Sequence, residues 1–508
     1  MVESPKEIKA ASIKSNYIFN TFRTVLNLIV PLIVFPYISR VLGPESLGKV
    51  EFANSIVSYF VLFTALGIPT YGIRETARTR ESLFERSKTF WELTAILGIT
   101  VIAGYVCYFF IISFVPVFKA QYVLFLIVCP TIFLSDFSCE WFYVGIEDQK
   151  YITTRYIFIK IVQIILVFLC IRRAEDFYRY AGIIIGLNGV STLFNLFRLK
   201  RYISFVPIKE LDIIRHIKSI LIIFSSIVAV NVYTHLDVTM VGLISGDRSV
   251  GLYSATNKVV RIIIQLVISL GVVMIPRIEN CYKRGDLEGY QRGLWFSLRF
   301  VFLLGVPFIV GIDFFAPEII WIFAGDQYAE AAFSVRLLSP IILIVGLAHF
   351  MGLQVLYTNR KEHIYAVAVT VAALVNGIFN YFMIRAYGYN GAIVGTVIAE
   401  MTGLMVMSVA GRKYLAESMA LGFDILKYFV AGAVMGGGLL LLKPLVENLA
   451  MAVSLAISIV LGAFVYFVCL ILLRDRCLGN ILKKNADKAE NSKIIMENAR
   501  TDSMEGVV

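Results

Sequence analysis

The chain has 508 residues, 58% of them hydrophobic and only 16% charged, with a mean hydropathy of +0.78. Soluble domains carry about 25% charged residues and much less continuous apolar sequence, so this composition excludes a soluble globular protein and requires a bilayer. The net charge of +11 would point to nucleic acid in a soluble chain; here it must be read against the spans, and no nucleic-acid partner is expected.

A helix needs about 20 apolar residues to cross a bilayer. Runs of that kind predict fourteen transmembrane helices, at roughly 15–38, 49–68, 89–113, 121–145, 151–171, 180–197, 219–243, 252–276, 293–313, 331–357, 362–384, 390–411, 428–442 and 450–473. An even number puts both termini on one side. With the N-terminus inside, the segments on that side hold 31 Lys and Arg, the opposite loops hold 8 and the spans the other 8 of 47, so the bias places both termini in the cytoplasm. The chain opens without a short apolar core and small-residue cleavage site, and no cleaved signal peptide is expected. Seven cysteines stand singly, at Cys107, Cys129, Cys139, Cys170, Cys281, Cys469 and Cys477, which implies neither a disulfide framework nor a metal site.

In chain order, the polar residues inside these spans fall on stripes. Span one carries Asn16, Asn20, Arg23 and Asn27 at helical spacing, and span two carries Glu51, Asn54, Ser55 and Ser58 at i, i+3, i+4, i+7, a single face of a helix. Span four has Asp136 and Glu140 at i, i+4, and span five has Arg155 and Lys160, which would neutralise them across a helix contact. Span six has GxxxG spacing at Gly182 and Gly186, as span twelve does at Gly391 and Gly395, a pattern of close helix packing. Span seven carries Asn231, Thr234, His235 and Asp237; the two histidines of the spans, His235 and His349, read as packing or hydrogen-bonding groups. Span eight carries Ser254, Asn257, Lys258 and Arg261. From about Asp475 the chain turns Lys-, Asn- and Glu-rich and reads as a cytoplasmic tail without fixed structure.

Two of these stripes belong to one repeated pattern. "SLGKVEFAN" at 46–54 returns as "SVGLYSATN" at 249–257, 203 residues later, and "YAGIIIG" from Tyr180 returns as "YNGAIVG" from Tyr389. Six spans per copy keep both copies in one orientation, so the copies are parallel repeats related by an axis along the membrane normal. The predicted fold is an all-α polytopic membrane protein: two parallel six-helix lobes, 1–208 and 209–415, around a central cavity, then two additional transmembrane helices in 416–474 and the tail 475–508. A charged side chain at mid-bilayer costs about 2.5–3.5 kcal/mol on insertion scales, so charged stripes face a wet cavity or one another. The pairing reading makes Glu51, Arg23, Lys258 and Arg261 helix contacts; the cavity reading makes them a binding surface.

"RVLGPESLGKVEFANSIVSYFVLFTALGIPTYGIRETART" (40–79), "LDVTMVGLISGDRSVGLYSATNKV" (236–259) and "YNGAIVGTVIAE" (389–400) resemble the polysaccharide-unit flippases, the Wzx type of the multidrug/oligosaccharidyl-lipid/polysaccharide exporter superfamily. The resemblance implies an inner-membrane protein that moves an undecaprenyl-diphosphate-linked oligosaccharide to the outer leaflet for O-antigen, capsule or exopolysaccharide assembly, with polysaccharide polymerase machinery and membrane lipids as partners. A lipid diphosphate cannot cross hydrocarbon unpaired, and Arg offers bidentate, permanently charged contacts to phosphate oxygens. Arg23, Lys258 and Arg261 are the cations for that task, and Asn20, Asn27, Asn54, Asn231 and Asn257 the groups for sugar hydroxyls. Glu51 and Asp237 are the carboxylates that would bind and release a coupling ion, proton or sodium. No cofactor and no catalytic residue is expected, because the chain offers no nucleophile with a neighbouring base and its longest outer loop, about 314–330, is short. The competing readings are a multidrug antiporter of the same superfamily, against which the cationic stripes speak, and a flippase of a lipid-linked peptidoglycan precursor.

The charge asymmetry fixes a topology test. A reporter active only in the cytoplasm should be active when fused after Arg412 and silent when fused near Gly325; the reverse pattern would invert the predicted orientation.

Overall fold

The computed structural model describes residues 13–415, 423–446, 448–475 and 477–479. The predicted tail beyond 479 lies outside the described residues. In chain order the helices are α1 (Ile13–Ala65), α2 (Ile68–Thr79), α3 (Leu83–Phe114), α4 (Pro116–Lys119), α5 (Tyr122–Val128), α6 (Pro130–Asp136), α7 (Glu140–Gly145), α8 (Gln149–Cys170), α9 (Phe177–Leu199), α10 (Ile214–Ser245), α11 (Asp247–Lys283), α12 (Leu287–Ala324), α13 (Ala331–Leu338), α14 (Ile341–His349), α15 (Glu362–Tyr387), α16 (Tyr389–Gly411), α17 (Phe423–Val446) and α18 (Met451–Leu472). The backbone donors and acceptors of a spanning segment must be satisfied internally, and helices do this. Among the described residues, twelve segments are long and apolar enough to cross a membrane. The first, Ile18–Thr79, is 62 residues long; at about 1.5 Å per residue it has room for two crossings of a hydrocarbon core roughly 30 Å thick. Each of the fourteen predicted spans falls on helical chain, including 219–243 on α10.

The breaks are where sequence and structure part company. Predicted spans one and two are not separated by a loop but joined through Gly43, whose φ of 71° and ψ of 173° interrupt α1. Span four is three short helices, divided at Cys129–Pro130 and again over 137–139, where Cys139 takes a left-handed φ of 52°. Proline cannot donate to the preceding turn, which accounts for the first division; no residue in 137–139 announces the second. Span ten is α13 and α14 followed by a π-helical stretch, Phe350–Leu356.

The repeat is visible in the backbone. Gly246, which separates α10 from α11, has φ 81° and ψ 176°, nearly the dihedrals of Gly43, and stands 203 residues after it. Only glycine adopts this conformation without strain. Just beyond each break the copies meet: a Cβ built on Gly48 would overlap the carbonyl oxygen of Asp247 and lie 2.9 Å from the amide of Gly251, and one on Gly251 would overlap the carbonyl of Pro44. Nearby, the ring of Phe52 occupies the space that a side chain at Gly242 would need. Of the two GxxxG pairs, Gly391 and Gly395 lie tightly against neighbouring chain, whereas Gly182 and Gly186 face open space, so span six does not pack through its glycines.

Contacts divide the chain into two compact units, one gathering residues up to 259 with 320–337 and 369–399, the other 260–319, 338–368 and those from 400 onward. The core of the first is built around Phe90, Trp141, Phe142 and Tyr143 from α3 and α7. Beside it the fully buried Glu92 accepts from His216 Nε2 at 2.8 Å, from Arg215 Nη2 at 2.5 Å and from the Asp212 amide at 2.7 Å, which fastens the start of α10 to α3. The core of the second unit includes Phe302, Tyr428, Met435 and Tyr466. Asp475 closes it, accepting from the Tyr428 hydroxyl at 2.9 Å.

The Gly48–Gly251 approach yields a direct test. Overpacking costs about 1–3 kcal/mol where side chains give way, and backbone gives way less. Gly251→Val should therefore lower recovery of folded protein in detergent by about tenfold or more, while Gly182→Val leaves it unchanged; equal recovery would mean that the close approach is dispensable.

Candidate functional site

The ten candidate residues lie on α1, α10 and α11, the three helices flanking the two glycine breaks. The fold sorts nine of them, all within the first unit, into four local settings.

The first is a charged cluster between α1, α7 and α8. Glu140 is the first residue of α7, released from α6 by the break at 137–139. One of its oxygens accepts from Arg23 Nη1 at 2.6 Å and the other from Arg155 Nη2 at 2.9 Å. Two guanidiniums thus share one carboxylate. The Arg155 side chain is 6% exposed, Arg23 22% and Glu140 40%. Within Arg155, Nε and Nη1 are buried; Tyr151 lies alongside, its ring 5.9 Å from the guanidinium carbon and its hydroxyl within reach of the Arg155 side chain. One turn further along α1, Asn27 Oδ1 accepts from the Tyr156 hydroxyl, and Lys160 donates to Gln163 Oε1 at 2.8 Å. Asn20 is exposed at the start of the same strip. The acid–base contact foreseen between spans four and five therefore exists for Glu140 and Arg155, with Arg23 as a third member.

The second setting is the pair Lys258–Glu51, Nζ to Oε1 2.5 Å, both side chains half-buried. The ammonium also sits 4.5 Å from the centre of the Phe35 ring, a favourable cation–π arrangement. Asn54 and Asn257 flank this pair, half-buried. Ser55, on the polar stripe with Glu51, does not join it: the residue is 3% exposed, donates to the Phe52 carbonyl at 2.8 Å and accepts from Thr239 at 3.1 Å. The stripe read from sequence is thus split between a half-exposed pair and buried packing.

The third is a cavity of about 350 Å³ with mostly apolar walls that carry the polar groups of Ser58, Thr70, Thr131, Ser135, Asn231 and His235. It opens where α1 gives way to α2 at Leu66 and Gly67, both with positive φ. Asn231 is spent partly on its own helix, Nδ2 to the Ile227 carbonyl at 3.0 Å, and His235 lies edge-on to Tyr59, centroids 6.1 Å apart. Thr70, Thr131 and Ser135 are hydroxyls that the sequence reading passed over, since isolated Ser and Thr in apolar spans carry no periodic signal.

The fourth is Asp237, 6% exposed. Its carboxylate accepts from the Tyr253 hydroxyl at 2.6 Å, Asn380 Nδ2 at 2.7 Å and the Thr396 hydroxyl at 2.8 Å. Asn380 Nδ2 also reaches Asn376 Oδ1 at 3.1 Å, while Asn380 Oδ1 and Asn376 Nδ2 are buried without partners. Gly395 leaves room for the Asn380 amide. Sequence reasoning missed Asn376, Asn380 and Thr396, although two Asn at i, i+4 in an otherwise apolar span were the available signal. The tenth residue, Arg261, is exposed on α11 and belongs to the second unit.

Comparison with known proteins covers most of the chain. A family model described as polysaccharide biosynthesis protein matches residues 13–281, and the MatE family model matches 222–382. A protein of Escherichia coli (strain K12) named "Putative O-antigen transporter" is 23% identical over 80% of this chain and 98% of its own length. The "Probable low-salt glycan biosynthesis flippase Agl15" of Haloferax volcanii is 22% identical over 49% of this chain and 53% of its own. Among solved structures, the lipid II flippase MurJ in an inward closed conformation superposes with a TM-score of 0.70 at 17% identity, covering 91% of this chain and 99% of that one; at that identity the likeness is one of fold.

The geometry separates wet from buried members of one stripe. Cysteine at Ser58 or Asn231, which line the cavity, should react with a small hydrophilic thiol reagent in membranes, and cysteine at Ser55 should be protected. Reaction at Ser55 comparable with that at Ser58 would contradict the burial described here.

Proposed function

The chain belongs to the polysaccharide biosynthesis protein family, and from that premise we propose that it is a flippase moving undecaprenyl-diphosphate-linked oligosaccharide repeat units from the inner to the outer leaflet of the cytoplasmic membrane. It is a carrier for surface polysaccharide assembly, not an enzyme. The observation that carries this reading is the cluster at Glu140, where two guanidiniums, Arg23 and Arg155, share one carboxylate. A fixed positive charge in hydrocarbon is costly, and a diphosphate is a ligand that offsets the cost. Lys258, held by Glu51, and Arg261 are assigned to the diphosphate as further cations, and Asn20, Asn27, Asn54, Asn231 and Asn257 to the sugar. The cavity beside Asn231 supports this, since the hydroxyls of Ser58, Thr70, Thr131 and Ser135 supply donors and acceptors on several of its walls.

In this reading the two repeats, 1–208 and 209–415, are the lobes of the transporter, both termini are cytoplasmic and the membrane is the inner one. The Arg23 cluster then sits toward the cytoplasmic ends of its helices, where a substrate made inside the cell arrives, and the Glu51–Lys258 pair toward the outer ends. Asp237 is the ion-coupling group: its donors are all neutral among the described residues, so a proton or a sodium ion would balance its charge. Glu51 is the second such carboxylate. Polymerase machinery on the outer face is the expected recipient. The match to the MatE model favours one rival, a multidrug antiporter, and the cationic cluster disfavours it for cationic drugs.

The deciding experiment is deletion of the gene. Accumulation of a lipid-linked oligosaccharide on the cytoplasmic face is expected; drug sensitivity without accumulation would favour the antiporter, and accumulation of a peptidoglycan precursor the third reading. Arg23→Ala and Arg261→Ala should each abolish surface polysaccharide at unchanged protein level, with Arg261→Lys retaining part of the activity. A charge-assisted contact is worth roughly 1.5–3 kcal/mol, about ten- to hundred-fold in occupancy, and Lys keeps the charge without the bidentate geometry. Normal export by the Ala variants would remove the phosphate role. Asp237→Asn should leave substrate binding intact and abolish the response of transport to the ion gradient.

A further inference from the structure

Glu140 is unlike an ordinary structural counter-ion in three respects. It bridges two arginines instead of one, it is 40% exposed although Arg155 behind it is almost fully buried, and it is the first residue after a break in its helix. The break matters because it frees the carboxylate from the rigid register of α6: Phe137 lies at φ −89° and ψ 9°, and Cys139 is left-handed. Arg155 is also under-used. A guanidinium has five N–H donors; Glu140 takes one through Nη2, and for the buried Nε and Nη1 only the neighbouring Tyr151 hydroxyl is within reach.

We infer that Glu140 is a displaceable surrogate for the substrate's phosphate, holding the anion seat between Arg23 and Arg155 until a diphosphate takes its place. The inference rests on the flippase reading and adds to it the seat itself, one new phosphate-binding residue, Arg155, and a built-in competitor. The two Glu140 oxygens already mark where an oxyanion meets Arg23 Nη1 and Arg155 Nη2. A phosphoryl group carries more oxygens and more charge than a carboxylate, so it supplies further acceptors for the N–H donors that Glu140 leaves unmet on Arg155. With the seat never bare, neither arginine faces hydrocarbon uncompensated. The competitor also sets specificity, since a neutral or weakly charged lipid cannot displace a carboxylate from two guanidiniums.

The test is binding of farnesyl diphosphate to the purified full-length protein in detergent, by calorimetry, with melting temperature as a second readout. Glu140→Gln removes the competitor and should bind about tenfold more tightly than wild type. The same variant, left with two uncompensated arginines, should melt at a lower temperature and be restored by sodium pyrophosphate but not by sodium chloride of equal ionic strength. Arg155→Ala should bind at least tenfold more weakly, and Arg155→Lys should fall between. If Glu140→Gln is too unstable to purify alone, it is purified in pyrophosphate, and failure of pyrophosphate to stabilise it overturns the inference. Unchanged or weaker binding by Glu140→Gln, or unchanged binding by Arg155→Ala, overturns it as well. If wild type binds and Arg261→Ala does not, while Glu140 and Arg155 variants match wild type, the seat is wrong and the diphosphate reading stands. No binding by wild type or any variant removes both.

Discussion

A guanidinium inside a bilayer must find an anion or water, and that requirement organises the polar interior of this protein. A charge taken out of water costs free energy wherever it lies within a span, so Arg23, Arg155 and Lys258, placed within the helices, each call for a compensating partner. Glu140 and Glu51 supply the compensation. Because these acids lie on other helices, 117 residues from Arg23 in one case and 207 from Lys258 in the other, the helices must approach closely enough for side chains to touch. The approach is made by glycine: where Gly48 and Gly251 bring the two repeats into backbone contact, Glu51 and Lys258 stand one to two turns further along the same helices. The ion pair and the glycine contact are one feature seen at two distances from the break.

Much of this was legible in the sequence, and the reasons are local. Hydropathy and length located the spans because insertion depends on about 20 consecutive residues and on little else. The repeat was legible because the glycine breaks demand glycine, so Gly43 and Gly246 had to recur in register, carrying Ser46, Gly48 and Asn54 onto Ser249, Gly251 and Asn257. Helical spacing put Glu51, Asn54, Ser55 and Ser58 on one stripe. It could not say which way the turn faces, and Ser55 proved to be buried against Thr239.

What was not legible depends on contacts between distant segments. The Asp237 setting draws on α10, α11, α15 and α16, and only the assembled fold shows that Asn380 and Thr396 converge on that carboxylate. The break at 137–139 has neither proline nor glycine to announce it, and Cys139 adopts a left-handed conformation that sequence statistics disfavour. Strain of this kind is held in place by surrounding structure; here Asn195 Nδ2 caps the Ser138 carbonyl at 2.5 Å. The residue that the break exposes, Glu140, is the one whose partners matter most.

The two carboxylates proposed for ion coupling are not equivalent, and the difference follows from what satisfies them. Glu51 is met by an ammonium, so its charge is balanced within the protein. Asp237 is met, among the described residues, by a phenol, an amide and a hydroxyl. Neutral donors stabilise a carboxylate by hydrogen bonding but leave its net charge in place. The cluster at Glu140 has the opposite imbalance, two guanidiniums to one acid. A protein with a cationic surplus in one setting and an anionic surplus in another has a reason to bind an anion and a cation in the same cycle. In the proposed cycle these are the lipid diphosphate and the coupling ion, with Asp237, whose donors are neutral, the first of the two carboxylates proposed for the ion and Glu51 the second.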